Sequence, residues 1–316
     1  MRRIDVHQHY LAKHYLDAVG LERITAASTV RSVPQWSAGA ALELMDRVGI
    51  EAALLSVSDP GVGLETEALT ARLARACNEG QARIASDYPR RFGFCAALPL
   101  PSVTAALREI EYALDELHAD GVGMLTNYGG IYAGDAEFWP VFEELDRRGA
   151  VLFVHPTAPA GRGGFAKIAS AMLEFPFDTT RAIASFLYHG TAARFPNLRI
   201  IWSHGGGAMP YLAGRTAVVS ARDPAFRQSG PDRLLPALRG FYYDLTQSVS
   251  PPTFAALRAL VPDTNLLFGS DRPFAAENQL NSALADFARL DLSEAERRAI
   301  NRDNALALFP RFGASY

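Results

Sequence analysis

Eight short apolar runs, rich in β-branched and aromatic residues, alternate along the 316-residue chain with longer segments in which apolar residues recur three and four apart. Runs of the first kind are typical of buried strands, and the longer period is typical of amphipathic helices. The predicted strands span residues 4–7, 52–57, 92–98, 121–126, 150–155, 198–203, 241–245 and 265–269. The predicted helices between them span 40–48, 67–87, 103–117, 138–148, 180–194, 252–260 and 278–290. The chain therefore repeats a strand–helix unit.

This repeat predicts an α/β protein. Strands that are apolar almost throughout form a parallel sheet covered on its outer face, and eight of them close naturally into a (β/α)8 TIM barrel. An open doubly wound sheet is the alternative, but no G-x-G-x-x-G follows the first strand. Without a Ser/Gly linker, a composition break or a short repeat, we expect one domain over residues 1–316. Three longer connections, at 10–39, 156–179 and 205–239, follow strand ends, where barrel active sites are built.

The composition excludes several classes of protein. The 31 lysines and arginines against 34 acidic residues give a formal net charge of −3, whereas a nucleic-acid binder needs a basic excess on one face. No apolar run reaches the roughly 18–20 residues that cross a bilayer, and the N-terminal MRRIDVHQHY lacks the apolar stretch of a signal peptide. Two cysteines, Cys77 and Cys95, are typical of a reducing compartment. We therefore expect a cytoplasmic protein that binds neither nucleic acid nor a membrane.

Four of the seven histidines fall at predicted strand ends. His7 and His9 follow strand 1, His155 follows strand 5 and His204 follows strand 6, while Asp271 stands two residues beyond strand 8. In a closed barrel strand 8 lies beside strand 1, so Asp271 comes close to His7 and His9, and His155 faces them across the mouth. Nitrogen ligands with one carboxylate suit Zn²⁺ or a similar divalent cation, and a position left to water or substrate makes such a site catalytic.

Each of these residues also has an ordinary structural interpretation. His-x-His alone is a weak signal, although residues i and i+2 of an extended strand do share one face. His155 alone is more simply a core histidine, and Asp271 could cap the following helix, with Pro273 in its first turn. The occurrence of all of them at strand ends favours the metal site.

The stretches that carry these residues resemble a known family. They are Ile-Asp-Val-His-Gln-His at 4–9, Phe-Val-His-Pro at 153–156, Phe-Pro-Asn-Leu-Arg-Ile-Ile-Trp-Ser-His-Gly-Gly-Gly at 195–207 and Leu-Leu-Phe-Gly-Ser-Asp-Arg-Pro-Phe at 266–274. Nearly the whole chain resembles the amidohydrolase superfamily, and within it the branch of α-amino-β-carboxymuconate-semialdehyde decarboxylase, γ-resorcylate decarboxylase and methylsalicylate decarboxylase. The stretch Pro-Phe-Asp-Thr-Thr-Arg at 176–181 is most similar to the methylsalicylate group.

The resemblance implies a set of roles at the metal centre. His7, His9, His155 and Asp271 match the metal ligands, and His204 matches a histidine that contacts substrate or metal-bound water. Binuclear members bridge two ions with a carbamylated lysine on strand 4, but the predicted strand 121–126 holds none, and the chain has only Lys13 and Lys167. We expect one divalent ion, Zn²⁺ or else Mn²⁺, and no organic cofactor. Relatives are dimers, which implies a homodimer.

The candidate substrate-binding residues are three arginines and two aromatics. Arg215 matches an arginine that in relatives grips a substrate carboxylate, sometimes from the neighbouring subunit, and its alternative is a surface helix arginine. Arg31, in the long loop after strand 1, is a second candidate cation. Arg272 stands where relatives commonly carry an aromatic residue, and either orients an anionic group or points outward. Trp36 and Phe274 are candidates for the pocket wall, with packing as their alternative.

Resemblance and ligand set together predict a cofactor-free, metal-dependent, non-oxidative decarboxylase. Its expected substrate is a small aromatic carboxylic acid, first an ortho-hydroxybenzoate of salicylate type, or a related unsaturated acid. Asp271, alone or with His204, is expected to protonate the carbon that bears the carboxylate. The alternative is a hydrolase of lactones, esters or amides that uses the metal to activate water. An inactive scaffold is a third reading, and the filled ligand positions argue against it.

Overall fold

The computed structural model describes residues 2–26, 32–159, 168–224, 226 and 231–313, so that Arg31 and Lys167 lie outside the described residues. Its main sheet has eight parallel strands that follow one another in chain order. These strands are β1 Arg3–His9, β2 Ile50–Ser56, β3 Phe92–Ala97, β4 Gly121–Leu125, β5 Val151–His155, β6 Arg199–Trp202, β7 Tyr242–Asp244 and β8 Leu266–Leu267. All eight predicted strands are confirmed.

The sheet closes because the chain after β8 runs alongside β1. The amide of Val6 donates to the carbonyl of Phe268 at 3.0 Å, and the amide of Asp271 donates to the carbonyl of His7 at 2.8 Å. A further bridge joins Gln8 to Arg272. These bonds confirm the predicted (β/α)8 barrel and the predicted neighbourhood of strands 8 and 1.

Helices cover the outside of the barrel, and their bounds differ from the prediction mainly in the long connections. The α-helices are Lys13–Val19, Leu21–Ala26, Ala38–Val48, Glu67–Asp87, Val103–Glu111, Trp139–Arg148, Glu174–Tyr188, Thr191–Arg194, Met209–Ser220, Pro231–Gly240, Pro251–Leu260, Glu277–Arg289, Glu294–Arg298 and Asn304–Leu308. A short antiparallel hairpin, Asn127–Tyr128 with Ile131–Tyr132, follows β4. Among the described helices, none has both the length and the apolar character needed to cross a membrane.

Prolines explain two of the differences. The helix predicted over 180–194 is two helices, the first of which already begins at Glu174 with Pro176 in its opening turn. The connection 205–239 contains the helix Met209–Ser220, with Pro210 in its first turn. Proline is tolerated there because the first amides of a helix have no partner within it, so a residue that suggests a loop instead stands at a helix start.

A β-bulge in β1 changes which residues face the barrel interior. The pairing of β1 with β2 shifts between Asp5 and Gln8. Ile4, before the shift, and Val6, within it, pack in a buried cluster with residues of the other strands. The rings of His7, also within the shift, and Phe153 lie 5.0 Å apart, and beyond it His9 Nδ1 lies 3.2 Å from the Ser56 hydroxyl oxygen. Strict alternation would place Val6 and His7 on opposite faces, whereas the extra residue brings both inward.

The interior of the barrel is apolar away from the mouth. Its cluster combines strand residues with the chain's last described helix, which contributes Ala305 and Leu308, followed by Phe309. This helix was not predicted. Phe309 is only 2% exposed, so the C-terminal segment forms an apolar plug at the end opposite the metal-ligand candidates.

Candidate metal centre

The structure brings the strand-end histidines and Asp271 together at the barrel mouth. One potential ligand atom from each of His7, His155, His204 and Asp271 lies within 4.8 Å of the others. His9 belongs to the same group, because its Nε2 lies 3.0 Å from His7 Nε2 and 2.9 Å from Asp271 Oδ1. His7 and His9 lie in the last three residues of β1, and His155 is the last residue of β5. His204 lies two residues beyond the end of β6, and Asp271 lies four residues beyond the end of β8.

Hydrogen bonds on the far side of two imidazoles orient their free nitrogens toward the site. His7 Nδ1 donates to Asp244 Oδ2 at 2.9 Å, and His155 Nδ1 donates to the carbonyl of Pro156 at 2.8 Å. A carboxylate and a carbonyl only accept, so Nδ1 carries the hydrogen in each ring. In the neutral rings Nε2 therefore presents a lone pair to the centre, an arrangement typical of metal-ligating histidines.

The spacing of these atoms fits one divalent ion. Tetrahedral ligands at 2.0–2.1 Å from Zn²⁺ are separated by about 3.3 Å. The distances His7 Nε2 to His9 Nε2, His9 Nε2 to Asp271 Oδ1 and His7 Nε2 to Asp271 Oδ1 are 3.0, 2.9 and 3.5 Å. Two imidazole nitrogens this close, beside a carboxylate, are best satisfied by a shared cation. The donor set thus fits a metal ion.

Burial and the neighbouring charges favour neutral His9 and His155 and an ionised Asp271. His7 is the exception among the histidines, because its pKa is raised. Burial and the neighbouring histidines hold the pKa of His155 well below its usual value, and burial also lowers the pKa of His9. Burial opposes ionisation of Asp271, but the His204 and His9 imidazoles outweigh it and hold its pKa well below the ordinary range. Burial likewise disfavours a charged His7, yet Asp244 and the other nearby carboxylates raise its pKa.

Two residues of the site adopt a backbone conformation that side chains rarely take. His204 has φ 52° and Asp271 has φ 59°, both in the left-handed region. The amide of His204 donates to Asp244 Oδ1 at 3.1 Å, and the amide of Asp271 donates to the carbonyl of His7. Strain of this kind persists only where the surroundings hold it, and it is concentrated at functional sites. Asp271 does not cap the next helix, which begins at Glu277.

Asp244 is the important residue that the sequence analysis missed. It is fully buried at the end of β7, holds His7 through one oxygen, and accepts the amides of His204 and Thr246 through the other. The rule that found the histidines depends on strand ends, and it did not reach Asp244 because the predicted strand 241–245 runs one residue past the observed end of β7.

A pocket of about 220 Å³ opens onto the metal-ligand candidates. His155, His204 and Asp271 line one side, and Phe175 and Phe274 contribute aromatic surface. The Phe274 ring lies 5.6 Å from the ring of His9, so the structure places this predicted wall residue at the pocket. The remaining lining residues are Ile24, Ser58, Asp59, Ala171, Met172, Gln247, Ala275 and Gln279.

Of the other predicted substrate-binding residues, the three that the structure describes do not line this pocket. Arg272 Nη1 donates to the carbonyl of Ala275 at 2.6 Å, and its side chain lines a separate small cavity together with Trp36 and Gln8. Arg215 lies exposed on the helix Met209–Ser220. The Arg272 side chain is therefore directed away from the metal pocket, toward the carbonyl of Ala275 and the cavity that it shares with Trp36.

Comparisons with known proteins agree with this geometry. A family model described as Amidohydrolase matches residues 4–311. A 6-methylsalicylic acid decarboxylase of Penicillium expansum is 35% identical over 98% of this chain and 97% of that protein, and one of Aspergillus aculeatus is 36% identical over 98% and 96%. A solved structure of a dihydroxybenzoic acid decarboxylase from Polaromonas sp., with bound manganese and 2-nitroresorcinol, matches with a TM-score of 0.84 at 23% identity, covering 99% of this chain and 98% of that one. These matches confirm the resemblance, and the chain belongs to the amidohydrolase family.

Proposed function

We propose that the protein is a metal-dependent, non-oxidative decarboxylase of an ortho-hydroxybenzoate, with 6-methylsalicylate as the first candidate substrate. The observation that carries the proposal is the convergence of three imidazoles and a carboxylate beside an aromatic pocket of about 220 Å³, a size suited to a single-ring acid. The Penicillium expansum and Aspergillus aculeatus relatives, which match over nearly their full length, are both 6-methylsalicylic acid decarboxylases. They favour decarboxylation over the hydrolase alternative.

We assign His7, His9, His155 and Asp271 as the ligands of one divalent ion. Three nitrogens and a carboxylate suit Zn²⁺, and manganese is the ion bound in the Polaromonas structure. When bound, such an ion holds the carboxylate and phenolic oxygens of the substrate and stabilises negative charge as a Lewis acid. Asp244 and Pro156 keep two of the histidine rings in the orientation that this requires.

The protein's own part in the reaction is to move a proton. Asp271 is ionised at neutral pH because its pKa is held low, so it can accept the proton of the substrate's phenolic hydroxyl. It then delivers this proton to the ring carbon that bears the carboxylate. The C–C bond breaks, CO₂ leaves, the ring regains its aromaticity, and the phenolate takes up a proton from water. His204 lines the same pocket, and its Nε2 lies 3.9 Å from Asp271 Oδ2. It orients the carboxylate of Asp271.

The proposal includes a cytoplasmic homodimer in which Arg215 acts at the interface. Tyr211, Arg215 and Val218 share one face of the helix Met209–Ser220, and Tyr211 and Val218 are 84% and 61% exposed. An exposed apolar face that carries an arginine is typical of a protein interface. Size-exclusion chromatography with light scattering tests the dimer, and Arg215→Ala should raise KM if this guanidinium binds substrate in the assembled protein.

The function is tested by metal content and product analysis on one preparation. We expect about one equivalent of Zn or Mn per chain by mass spectrometry. We also expect chromatography to show conversion of 6-methylsalicylate, salicylate or γ-resorcylate to the corresponding phenol. A dicarboxylic lactone belongs in the same panel. Opening of the lactone alone would assign the protein to the hydrolases, and failure to bind metal after reconstitution would overturn the assignment of the site.

A further inference from the structure

A second and larger cavity lies beside the metal pocket at the same end of the barrel. Its volume is about 500 Å³, against about 220 Å³ for the metal pocket. Its walls are mostly apolar and come from the loop after β2 and from the ends of β3 and β4, with Val62, Leu98, Leu100, Met124 and Leu125 among them. A concave apolar site of this size suits a small organic ligand.

The residues between the two cavities form a wall. No described residue lines both cavities, and residues adjacent in sequence fall on opposite sides. Arg23 lines the second cavity and Ile24 the metal pocket, and the same holds for Pro60 and Asp59. The wall is held by a hydrogen bond from the Thr157 hydroxyl to Asp59 Oδ1. The second cavity is therefore a site of its own and not an extension of the metal pocket.

Charge restricts what the cavity can bind. Among the described residues that line it, Arg23 is the one that carries a charge. Its Nη1 donates to the carbonyl of Gly63 at 3.1 Å, which fixes the guanidinium beside the cavity. Within the described part of the chain no carboxylate forms an ion pair with Arg23. An apolar chamber with one unpaired guanidinium complements an apolar molecule that ends in an anionic group.

We propose that this cavity is a second ligand site, which binds a small aliphatic or aromatic monocarboxylate with its apolar body among the leucines and its carboxylate on Arg23. The site is independent of the reaction assigned to the metal pocket. Because the two cavities share the wall formed by Ile24, Asp59 and Thr157, their occupants lie close together without competing.

Gly63 allows a direct test of this site. It lines the cavity, and a Cβ at this position would meet no other atom within 4 Å, so Gly63→Phe fills the cavity without a clash at its base. Gly39 also has open space around a Cβ and lies away from the cavity on the helix Ala38–Val48, so Gly39→Phe is the matched control. Arg23→Gln, an exposed change, removes the charge and provides a second variant if Gly63→Phe fails to fold.

The probe is 8-anilinonaphthalene-1-sulfonate, an apolar aromatic anion whose fluorescence rises in apolar sites, titrated into the metal-loaded protein. We expect saturable binding that Gly39→Phe retains, that Gly63→Phe abolishes and that Arg23→Gln weakens about tenfold. Octanoate should displace the probe at far lower concentration than octanol. Equal binding to wild type and Gly63→Phe, or equal competition by octanol, would overturn the proposal. Decarboxylase activity is measured separately, so failure here leaves the proposed function standing.

Discussion

The two ends of this barrel are built from the same strands in opposite ways. At the mouth, buried histidines and carboxylates face one another, and His204 and Asp271 occupy left-handed backbone conformations. At the other end, Ile4 and Leu267 pack against the C-terminal Phe309 in a wholly apolar cluster. Parallel strands in a barrel present all their C-terminal ends to one side, so position along a strand separates chemistry from stability.

The largest effect is expected from a substitution that disrupts activity at the barrel mouth without affecting the apolar end. Asp271→Asn keeps the size of the side chain but removes the ionised oxygen that, in the proposed mechanism, accepts and delivers the proton. We expect kcat to fall about 10²–10⁴-fold, with little change in the urea midpoint of unfolding. Asp286→Asn, an exposed acid on an outer helix, is the control for turnover. Loss of the fold in Asp271→Asn would show that the mouth also stabilises the barrel.

The complementary substitution destabilises the apolar plug without affecting the barrel mouth. Phe309→Ala removes a buried ring from the apolar end, and such truncations lower the free energy of unfolding by about 3–5 kcal/mol. At 25 °C we expect kcat/KM to stay near the wild-type value, because no plug residue lines the metal pocket. Chemical unfolding and steady-state kinetics check the two halves of this prediction. Phe312→Ala, at a partly buried site of the same cluster, should cost less.

A smaller effect is expected from substitution of Asp244, which lies behind the ligand candidate His7. Asp244→Asn keeps the shape but weakens the acceptor that holds His7 Nδ1. Replacement of such a partner lowers metal affinity about 10–100-fold, so activity should return at excess metal. Metal titration with activity as the readout separates this loss of affinity from a loss of kcat. Unchanged affinity would mean that the His7 ring is held by packing.

The smallest effect concerns the proton that His7 carries. Its pKa is raised by Asp244 and the neighbouring carboxylates despite burial, and a metal binds only the neutral ring. Metal affinity should therefore rise with pH until His7 is neutral, and binding below that pKa should release about one proton per ion. Calorimetry in two buffers of different ionisation enthalpy measures this number. No release at any pH would mean that His7 is neutral before metal binds.

The barrel could be predicted because it depends on the period of apolar residues along the chain. The ligand cluster could be predicted because it depends on the position of histidines at strand ends. Eight apolar runs gave the strands, and the histidines at their ends had to meet at one mouth. Asp244 escaped notice because Tyr-Tyr-Asp-Leu looks like the inside of an apolar strand, whereas β7 ends at the aspartate itself.

Side-chain direction beyond the strands could not be predicted. Arg272 was a candidate for the substrate pocket through its neighbour Asp271, but its guanidinium donates to the carbonyl of Ala275 and lies away from that pocket. Trp36 shares the small outer cavity with it. The left-handed conformations of His204 and Asp271 depend on contacts with distant strands, which no local pattern encodes.

The bulge in β1 has a consequence for anyone who would transplant this motif. The letters Ile-Asp-Val-His-Gln-His do not by themselves present two imidazoles above a packed interior, because a regular strand that buries Val6 turns His7 outward. The alternation of inward-facing and outward-facing residues along β1 therefore changes phase between Asp5 and Gln8. A graft onto another barrel therefore needs the extra residue as much as it needs the histidines.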